Sequence, residues 1–524
     1  CLSVFLLLAI LGNTDSLKFL VYNPIWGRSH VTFMGKVAES LVDAGHNVTM
    51  LSPITESKMV GFGTDKVKNI ITIPPCDVSI EFENTVLAEM SHNFWRSKSV
   101  SSLLNEVKKF VNAWAHQCNA TINHPGLMEQ LKLENFDAAI SEPVDMCGFA
   151  IFHHIGIKNI ASTLSVGSFE GSFDFTGLPS FPSYVPGGVV SFSEKMTFFQ
   201  RMANVGALVI GKYLFPSLYG PMQAVLEENF GVGYPGIKEL CAESSLFFLN
   251  SDPLIEFPRP TLHKIIDIGG ISVSSGHKQL NQTWSDILNL RKQTVFISFG
   301  TVAKSYLMPE EYKESIKNMI RQFPDVTFIW KYEKPEHKIS EGIENIVEST
   351  WVPQNDLLYD RRLSLFITHC GQGSTIEATT AGVPLIVIPV LGDQIRNAEV
   401  IRRIETGLVL DTTSLSNSEK LKGAVREILT NEKFEKKARL VGEMIRNRPF
   451  TAKELFVKNV EFMAKYGPLR QLDHYGSHLN FIQYYLIDVF AFLFSVVFII
   501  LFVTYKTIKF IVLGCLRVVK VKKE

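Results

Sequence analysis

Apolar and polar positions along the chain follow two different periods, which predict strands that alternate with helices. Residues 18–23 alternate and are rich in β-forming types, so they predict a strand. After a short loop, residues 31–44 have a helical period that ends at Gly45, and residues 48–51 predict the next strand. Residues 136–141 begin a similar unit. Such βα units are typical of a doubly wound parallel sheet.

A second series of the same kind begins near residue 294. Its predicted strands are residues 295–298, 326–330, 365–368 and 385–389, and its predicted helices are residues 310–322 and 374–381. This alternation implies a second Rossmann-like sheet. Ligands of open α/β sheets bind beyond the carboxyl ends of the strands, so we expect a binding cleft where the two domains face each other. Residues 164–240 are rich in Gly, Pro and Phe, lack a clean period, and are expected to be irregular and to face the substrate.

Two segments fall outside this alternation. Residues 2–11 are an apolar run followed by small and polar residues, which is typical of a secretory signal peptide. Residues 485–505 are almost wholly apolar, and a helix of that length spans roughly 31 Å, about the thickness of a bilayer core. The tail that follows is basic, so it is expected to be cytosolic and the large domain lumenal. Lys520 and Lys522 resemble a dilysine signal for return to the endoplasmic reticulum.

Composition narrows the class of protein. An apolar fraction of 46% and a charged fraction of 20% are typical of a folded chain. The 52 basic and 52 acidic side chains cancel, so no basic excess indicates a nucleic-acid partner. The seven cysteines follow neither a zinc pattern nor a disulfide framework.

Glycosylation sequons occur at three asparagines, Asn47, Asn119 and Asn281. The pattern predicts that Asn47 lies in a buried strand. Asn119 and Asn281 are therefore the predicted glycan sites.

The most informative chemistry lies at one predicted strand-to-helix turn. His369 ends a strand and Ser374 opens a helix, with Gly371 and Gly373 between them. Free N–H groups and the dipole at a helix start make an anion site suited to a diphosphate. A histidine that can become a cation stands beside this site and could stabilise a leaving phosphate.

The stretch from Trp351 to Gln394 resembles the nucleotide-sugar signature of the UDP-glycosyltransferase superfamily. The resemblance implies uracil stacking by Trp351, ribose binding by Gln354 and Glu377, phosphate contacts by His369 and Ser374, and sugar binding by Asp393 and Gln394. Gly373 stands where plant members have Asn, and it keeps its backbone N–H. Ser298, Gly300 and Thr301, on the turn after the first strand of the second series, are expected to add donor contacts.

The overall plan resembles the animal UDP-glucuronosyltransferases. This resemblance implies the α/β fold called GT-B, in which two Rossmann-like domains face a cleft, here with a C-terminal transmembrane helix added. The predicted segments are a signal peptide (1–16), an N-terminal acceptor-binding domain (17–270), a polar linker (271–289), a C-terminal UDP-sugar-binding domain with returning helices (290–465), a juxtamembrane segment (466–484), the transmembrane helix (485–505) and a cytosolic tail (506–524).

The acceptor needs a base, and His30 at the end of the first loop is the candidate. An imidazole that titrates near neutrality can take a proton from an attacking hydroxyl. The resemblance implies that a carboxylate after a later strand supports this histidine. Glu142 occupies that position, where the family has Asp. The implied reaction is a single displacement with inversion at the sugar.

Neither a metal nor another cofactor is expected, because the chain contains no Asp-x-Asp triplet; the UDP-sugar is a co-substrate. The expected partners are this donor, a small lipophilic acceptor and a membrane crossed once. UDP-glucose or another hexose donor stays open, with Arg28 or Arg396 as candidate partners for a glucuronate carboxylate. A non-catalytic protein that binds lipophiles or pairs with active relatives is the alternative from a different class. A nicotinamide oxidoreductase is disfavoured because the dinucleotide fingerprint is missing. Acceptor identity and assembly into homo- or hetero-oligomers stay open.

Overall fold

The computed structural model describes residues 16–96, 100–167, 175–188, 190–214, 217–273 and 279–521. All of the predicted signal peptide except Ser16 lies outside the described residues. Lys522 of the dilysine-like tail also lies outside them, as does the side chain of Lys520.

The first sheet is built from seven parallel strands. These are β1 (Lys18–Tyr22), β2 (Asn47–Pro53), β3 (Asn69–Ile73), β4 (Ala138–Ser141), β5 (Ile160–Leu164), β6 (Leu246–Leu249) and β7 (Ile265–Asp267). Their order across the sheet is β3-β2-β1-β4-β5-β6-β7. The order reverses between β1 and β4, which is the arrangement of a doubly wound sheet.

Helices cover both faces of this sheet. They are α1 (Arg28–Asp43), α2 (Asp77–Phe82), α3 (Ala88–Asn93), α4 (Val100–Ile122), α5 (Leu127–Leu133), α6 (Cys147–His154), α7 (Phe198–Val209), α8 (Gly220–Phe230) and α9 (Ile237–Ala242). Successive side chains of β1 face opposite sides of the sheet. Leu20 therefore packs with α4 and α6, whereas Phe19 packs with α1.

The second sheet has six parallel strands. These are β8 (Gln293–Ser298), β9 (Val326–Lys331), β10 (Ile346–Ser349), β11 (Leu363–Thr368), β12 (Leu385–Val387) and β13 (Gly407–Val409). Their order is β10-β9-β8-β11-β12-β13, which again reverses between two central strands, β8 and β11. The helices of this half are α10 (Gln282–Leu288), α11 (Glu310–Arg321), α12 (Gln354–Tyr359), α13 (Gln372–Ala381), α14 (Asp393–Ile404), α15 (Ser418–Thr430) and α16 (Glu432–Arg446).

The chain then returns to the first sheet. Helix α17 (Ala452–Tyr466) packs its apolar side into the core of the first half. Its Phe456 ring lies 4.9 Å from the Phe248 ring of β6, centroid to centroid. Residues 452–465 follow the second sheet in sequence, yet they complete the core of the first.

Two stretches are more regular than the sequence predicts. Residues 271–289, expected to be a polar linker, contain α10, whose Leu288 is buried in the core of the second half. Residues 164–240, expected to be irregular, contain α7 and α8. Short amphipathic helices within polar or glycine-rich stretches give too weak a period to be recognised.

One disulfide joins two helices of the first half. Cys118 of α4 is bonded to Cys147 of α6. Cysteine spacing alone cannot predict such a pairing, because the partners meet only when the sheet brings their helices together.

Residues 473–524 form a separate unit. Its helices are α18 (Phe481–Tyr484) and α19 (Ile487–Val521). The segment Ile487–Arg517 of α19 is long and apolar enough to cross a membrane. The apolar helix predicted at residues 485–505 therefore begins two residues later and continues through the basic flank, where Lys and Arg are good helix formers.

Candidate active site

The loops after β1 and β4 meet at the point where the strand order of the first sheet reverses. His30 lies near the start of α1, which follows β1, and Glu142 directly follows β4. The two strands are hydrogen-bonded neighbours, so their carboxyl ends open at the same edge of the sheet. This is where open α/β sheets bind ligands.

The structure brings His30 and Glu142 together. Nδ1 of His30 lies 2.8 Å from a carboxylate oxygen of Glu142, and the Glu142 side chain is buried. Ser165, directly after β5, is a third member that the sequence did not reveal. Its Oγ lies 2.9 Å from the same Nδ1, and its backbone N–H donates to the second carboxylate oxygen of Glu142 at 2.7 Å. Nδ1 is thus occupied, and Nε2 is the ring nitrogen left for an acceptor hydroxyl.

Charges around His30 control its titration. Burial on its own would lower the pKa of His30, but the carboxylates of Glu142, Asp393 and Glu56 outweigh it and the net pKa is raised. The pKa of Glu142 is lowered: burial would raise it, but the His30 charge and the Ser165 hydrogen bonds prevail. The pair therefore favours an imidazolium beside a carboxylate once a proton arrives.

An aromatic wall lies beside the base. The Trp26 ring stacks on the His30 ring, with centroids 4.2 Å apart. Trp114 and Phe110 continue the wall at 4.8 Å and 6.5 Å from Trp26. Aromatic faces of this kind suit an apolar partner next to the imidazole.

The second sheet repeats the arrangement with a different set of residues. The loops after β8 and β11 meet where the strand order reverses, and they carry Gly300 and His369. A Cβ on Gly300 would lie 2.6 Å from the His369 ring, and one on Gly371 would lie 2.8 Å from it. Glycine is required at both positions, because a side chain on either would collide with the imidazole.

Helix α13 begins at this turn. Gly371 is its N-cap and offers no side chain to the free N–H groups of the first turn. The helix starts at Gln372, two residues before the predicted Ser374. Gly373 has open space where a Cβ would be. The N–H of Gln372 donates to the carboxylate of Asp393, and an anion site at the next N–H groups of the turn stays a prediction.

Three of the predicted nucleotide-binding residues contact one another. Nε2 of Gln354 donates to Oγ of Ser374 at 3.0 Å and to the carboxylate of Glu377 at 2.7 Å. Burial raises the pKa of Glu377, against the Gln354 hydrogen bond that lowers it. The Trp351 side chain is 67% exposed, so its ring face is available for stacking.

The environment of His369 does not fit the cation considered from the sequence. Burial, and after it the charge of Lys331, lower its pKa to about 4. His369 is therefore neutral at physiological pH and can act as a hydrogen-bond donor. Lys331, which the sequence did not reveal, supplies the positive charge here. Its Nζ donates to the carbonyl of Gly300 at 2.6 Å.

The predicted sugar-binding pair opens helix α14. A carboxylate oxygen of Asp393 accepts from Nδ2 of Asn397 at 2.9 Å. Oε1 of Gln394 accepts from the N–H groups of Val390 and Leu391 at 2.8 and 3.1 Å, which leaves its amide donors for a ligand. Burial raises the pKa of Asp393, and Asp393 in turn raises the pKa of His30. The base and the donor side are therefore close enough for their charges to interact.

The remaining predicted donor contacts differ in exposure. Ser298, the last residue of β8, is buried, whereas Thr301 is exposed on the turn. A tryptophan of the first half, Trp95, packs against this turn. Its ring lies 5.1 Å from the Phe299 ring, and its Nε1 donates to the carbonyl of Lys304 at 3.0 Å.

The sequence-based prediction that Asn47 is buried was wrong. Asn47 begins β2 and is exposed, because the first residue of a strand can lie outside the sheet core. Asn281 is exposed and caps α10. Asn119 is half-buried in α4, and its side-chain oxygen accepts from Asn123 and Asn229.

Solved structures share this architecture. The chain is similar to Phytolacca americana UGT2 complexed with UDP-2fluoro-glucose and pterostilbene, with a TM-score of 0.58 and 15% identity, covering 86% of this chain and 100% of that one. Os79 from O. sativa, in complex with U2F and trichothecene, gives a TM-score of 0.57 and 17% identity with the same coverage. Two parallel sheets of this kind define the GT-B class of glycosyltransferases, which confirms the predicted fold class.

Sequence comparison narrows the class to a family. The chain is 29% identical to UDP-glucuronosyltransferase ugt-47 of Caenorhabditis briggsae over 492 residues, which is 92% of this chain and 91% of that protein. It is 26% identical to human UDP-glucuronosyltransferase 1A10 over 510 residues, covering 95% and 92%. Residues 19–523 match the UDP-glucoronosyl and UDP-glucosyl transferase family. The chain belongs to this family and is a UDP-glycosyltransferase.

Proposed function

We propose that the protein transfers glucuronate from UDP-glucuronate to a hydroxyl group of a small lipophilic acceptor, with inversion at the sugar. The observation that carries this proposal is the pair of the partly exposed His30 and the buried Glu142, close to Asp393 of the donor side. A general base held by a carboxylate and facing a diphosphate-binding helix start is the arrangement that a single displacement needs.

In the proposed reaction, the acceptor hydroxyl approaches Nε2 of His30 along the aromatic wall. Nε2 takes the proton while the acceptor oxygen bonds to the anomeric carbon of the donor. The bond between that carbon and the diphosphate oxygen breaks, and UDP leaves with the electron pair. The proton then passes from His30 to solvent, so charge and atoms balance.

The departing diphosphate gains negative charge that the donor side stabilises. The N–H groups of Gly373 and Ser374 in the first turn of α13, the hydroxyl of Ser374 and the neutral ring of His369 donate hydrogen bonds to it. Lys331 adds a buried positive charge next to the Gly300 turn. These groups support a reaction without a divalent metal, and we expect chelation by EDTA to leave turnover unchanged.

Glucuronate as the transferred sugar is supported by the names of the relatives from nematode and human. UDP-glucose is the second candidate, because the family includes UDP-glucosyl transferases. Of the arginines considered for the glucuronate carboxylate, Arg396 is buried in an ion pair with Glu256 at 2.6 Å. Arg28 donates to the carbonyl of Val60 at 2.6 Å. Neither arginine therefore favours glucuronate over glucose.

We also propose that the protein lies in the endoplasmic-reticulum membrane as a single-pass protein with its large unit in the lumen. The apolar segment of α19 and the basic residues after it support this orientation. The disulfide between Cys118 and Cys147 supports an oxidising compartment. Glycans at Asn119 and Asn281 would follow from lumenal exposure, and a mass shift on glycosidase treatment of the full chain tests them.

The test uses membranes from cells that express the full chain. They are incubated with a panel of phenols and either UDP-glucuronate or UDP-glucose, and the conjugates are identified by mass. We expect glucuronides that are absent with the His30→Ala variant. If only glucosides form, the proposed donor is wrong and UDP-glucose takes its place. No conjugate with any nucleotide sugar, from a chain that still binds UDP, would favour the non-catalytic alternative.

A further inference from the structure

A buried asparagine of the first half is hydrogen-bonded to both halves of the molecule. Asn250 directly follows β6, and 2% of it is exposed. Its backbone N–H donates to the carbonyl of Leu164 at 2.9 Å, and its Nδ2 donates to the carbonyl of Ser165 at 2.8 Å. Ser165 is the residue that contacts both His30 and Glu142. Asn250 therefore fixes the backbone of the loop that orients the base.

The same asparagine receives a hydrogen bond from the donor side. Nε2 of Gln372 donates to the backbone carbonyl of Asn250 at 2.5 Å. Gln372 is the first residue of α13, the helix whose start is the predicted anion site. Its backbone N–H also donates to the carboxylate of Asp393. Gln372 is thus held at the phosphate-binding end of the second half while its side chain reaches the first half.

Other polar contacts join the two halves farther along the same loop. Arg448 pairs with Asp252 at 2.6 Å, and Arg396 pairs with Glu256 at 2.6 Å. Among these contacts, that of Asn250 is linked to the catalytic base, because Asn250 also bonds Ser165, and Ser165 contacts His30. A contact that only held the two halves together would not need the further hydrogen bond from Asn250 to Ser165.

We propose that Gln372 and Asn250 are positioning residues that set the distance between the catalytic base and the diphosphate-binding helix. This inference rests on the proposed role of His30 as the base. Reaction requires the acceptor oxygen and the anomeric carbon at near-contact distance, and a misplacement of about 1 Å can lower the rate about 100-fold. The bridge would thus fix the two reactants relative to each other, and it includes none of the residues predicted to bind the uracil or the ribose.

The first test replaces Gln372 by Met, which keeps the length of the side chain and removes the donor. We expect kcat to fall at least tenfold while the Kd for UDP, measured by calorimetry on the full chain in detergent, changes less than twofold. The matched control is Gln322→Met, because Gln322 makes its side-chain hydrogen bonds on the surface of the second half. A fall in UDP affinity that accounts for the whole loss of activity would overturn the proposal.

The second test asks whether the two residues act through one path. Asn250→Ala removes the bond to Ser165 but keeps the backbone carbonyl that Gln372 contacts. We expect kcat of the double variant to be little lower than kcat of the worse single variant. If both residues act through the same hydrogen-bonded connection, the second substitution removes nothing more. Losses that multiply would show two independent effects and contradict the bridge. Gln372→Lys, which restores a donor of similar length, is expected to recover activity.

Folding and the base role are separated by two further measurements. Thermal unfolding midpoints of all variants are compared with that of the Gln322→Met control. A Gln372 variant that does not match is replaced by Gln372→Leu, which lacks the donor and adds no charge. If His30→Ala retains turnover, the proposed function fails. If His30→Ala is inactive and Gln372→Met is fully active, only the bridge fails.

Discussion

Two histidines, His30 and His369, lie near the ends of central strands in the two sheets. Their surroundings shift their pKa values in opposite directions. His30 faces carboxylates, and its pKa is raised. His369 faces a lysine, and its pKa falls to about 4. The same side chain, after β1 in one sheet and after β11 in the other, thus acquires different chemistry. One histidine is prepared to accept a proton, whereas the other stays neutral beside an anion site, and neighbouring charge decides which.

The largest expected effect comes from removing the first histidine. His30→Ala should lower turnover by about 10²- to 10⁴-fold, the usual contribution of a general base. The Kd for UDP should stay unchanged, because His30 lies on the acceptor side. Calorimetry with UDP and a conjugation assay check both, with the exposed His116→Ala as control. Full turnover by the variant would remove His30 from the mechanism.

The next largest effect is expected from Glu142, the carboxylate that raises the pKa of His30. Glu142→Gln removes the charge that raises the pKa of His30, so that pKa should fall. The acid limb of the kcat/KM profile should move to lower pH, and kcat should fall about tenfold to 100-fold, because the imidazolium loses its partner. Glu228→Gln, on the exposed side of α8, is the control. An acid limb that stays in place would mean that another group titrates.

A smaller effect is expected from the second histidine. His369→Ala removes the donor that we propose for the diphosphate, and the loss of a net hydrogen bond of about 1.4 kcal/mol corresponds to tenfold weaker UDP binding. The loss should appear in the Kd for UDP, in contrast to the loss of turnover in the His30 variant. Unchanged UDP affinity would argue against a donor role for His369.

The smallest effect is expected when the positive charge beside His369 is removed. Lys331→Met removes the nearby cation, so the pKa of His369 should rise toward its usual range. Burial still opposes the charged form, and the rise should therefore be partial. Binding of an uncleaved UDP-sugar should then strengthen as pH falls below 6, whereas the unmodified protein should show no such trend. A trend already present in the unmodified protein would contradict the neutral His369.

The periods of the sequence predict β1, β2, β4, β8, β9, β11 and β12, whose residues are almost all buried. They do not predict β3, β7, β10 and β13, which are only partly buried, nor the short strands β5 and β6. The pairing of His30 with Glu142 was implied by the family resemblance, and the structure brings the two residues together because β1 and β4 are neighbouring parallel strands. Protonation could not be predicted in this way. Lys331 and Gly300 meet His369 only across strands, so the sequence indicates a cation-capable imidazole and the fold makes it neutral.

Other residues of the site gave no signal in the sequence. Ser165 follows a strand, as Glu142 does, but a serine between strand and loop is common and has no motif. Trp95 lies in the turn after α3 in the first half, and its contact with the turn after β8 depends on how the halves pack. Asn250 and Gln372 likewise gain their contacts from tertiary structure.

The return of α17 to the first sheet sets where the molecule can be divided. Its Phe456 and Val460 are fully buried against strands that precede them by some two hundred residues. A fragment that stops after β7 would present bare apolar surface to water and aggregate, however complete its strands. Chimeras that exchange donor preference between relatives should therefore swap residues 290–448 as an insert. Helix α17 should come from the same parent protein as β1.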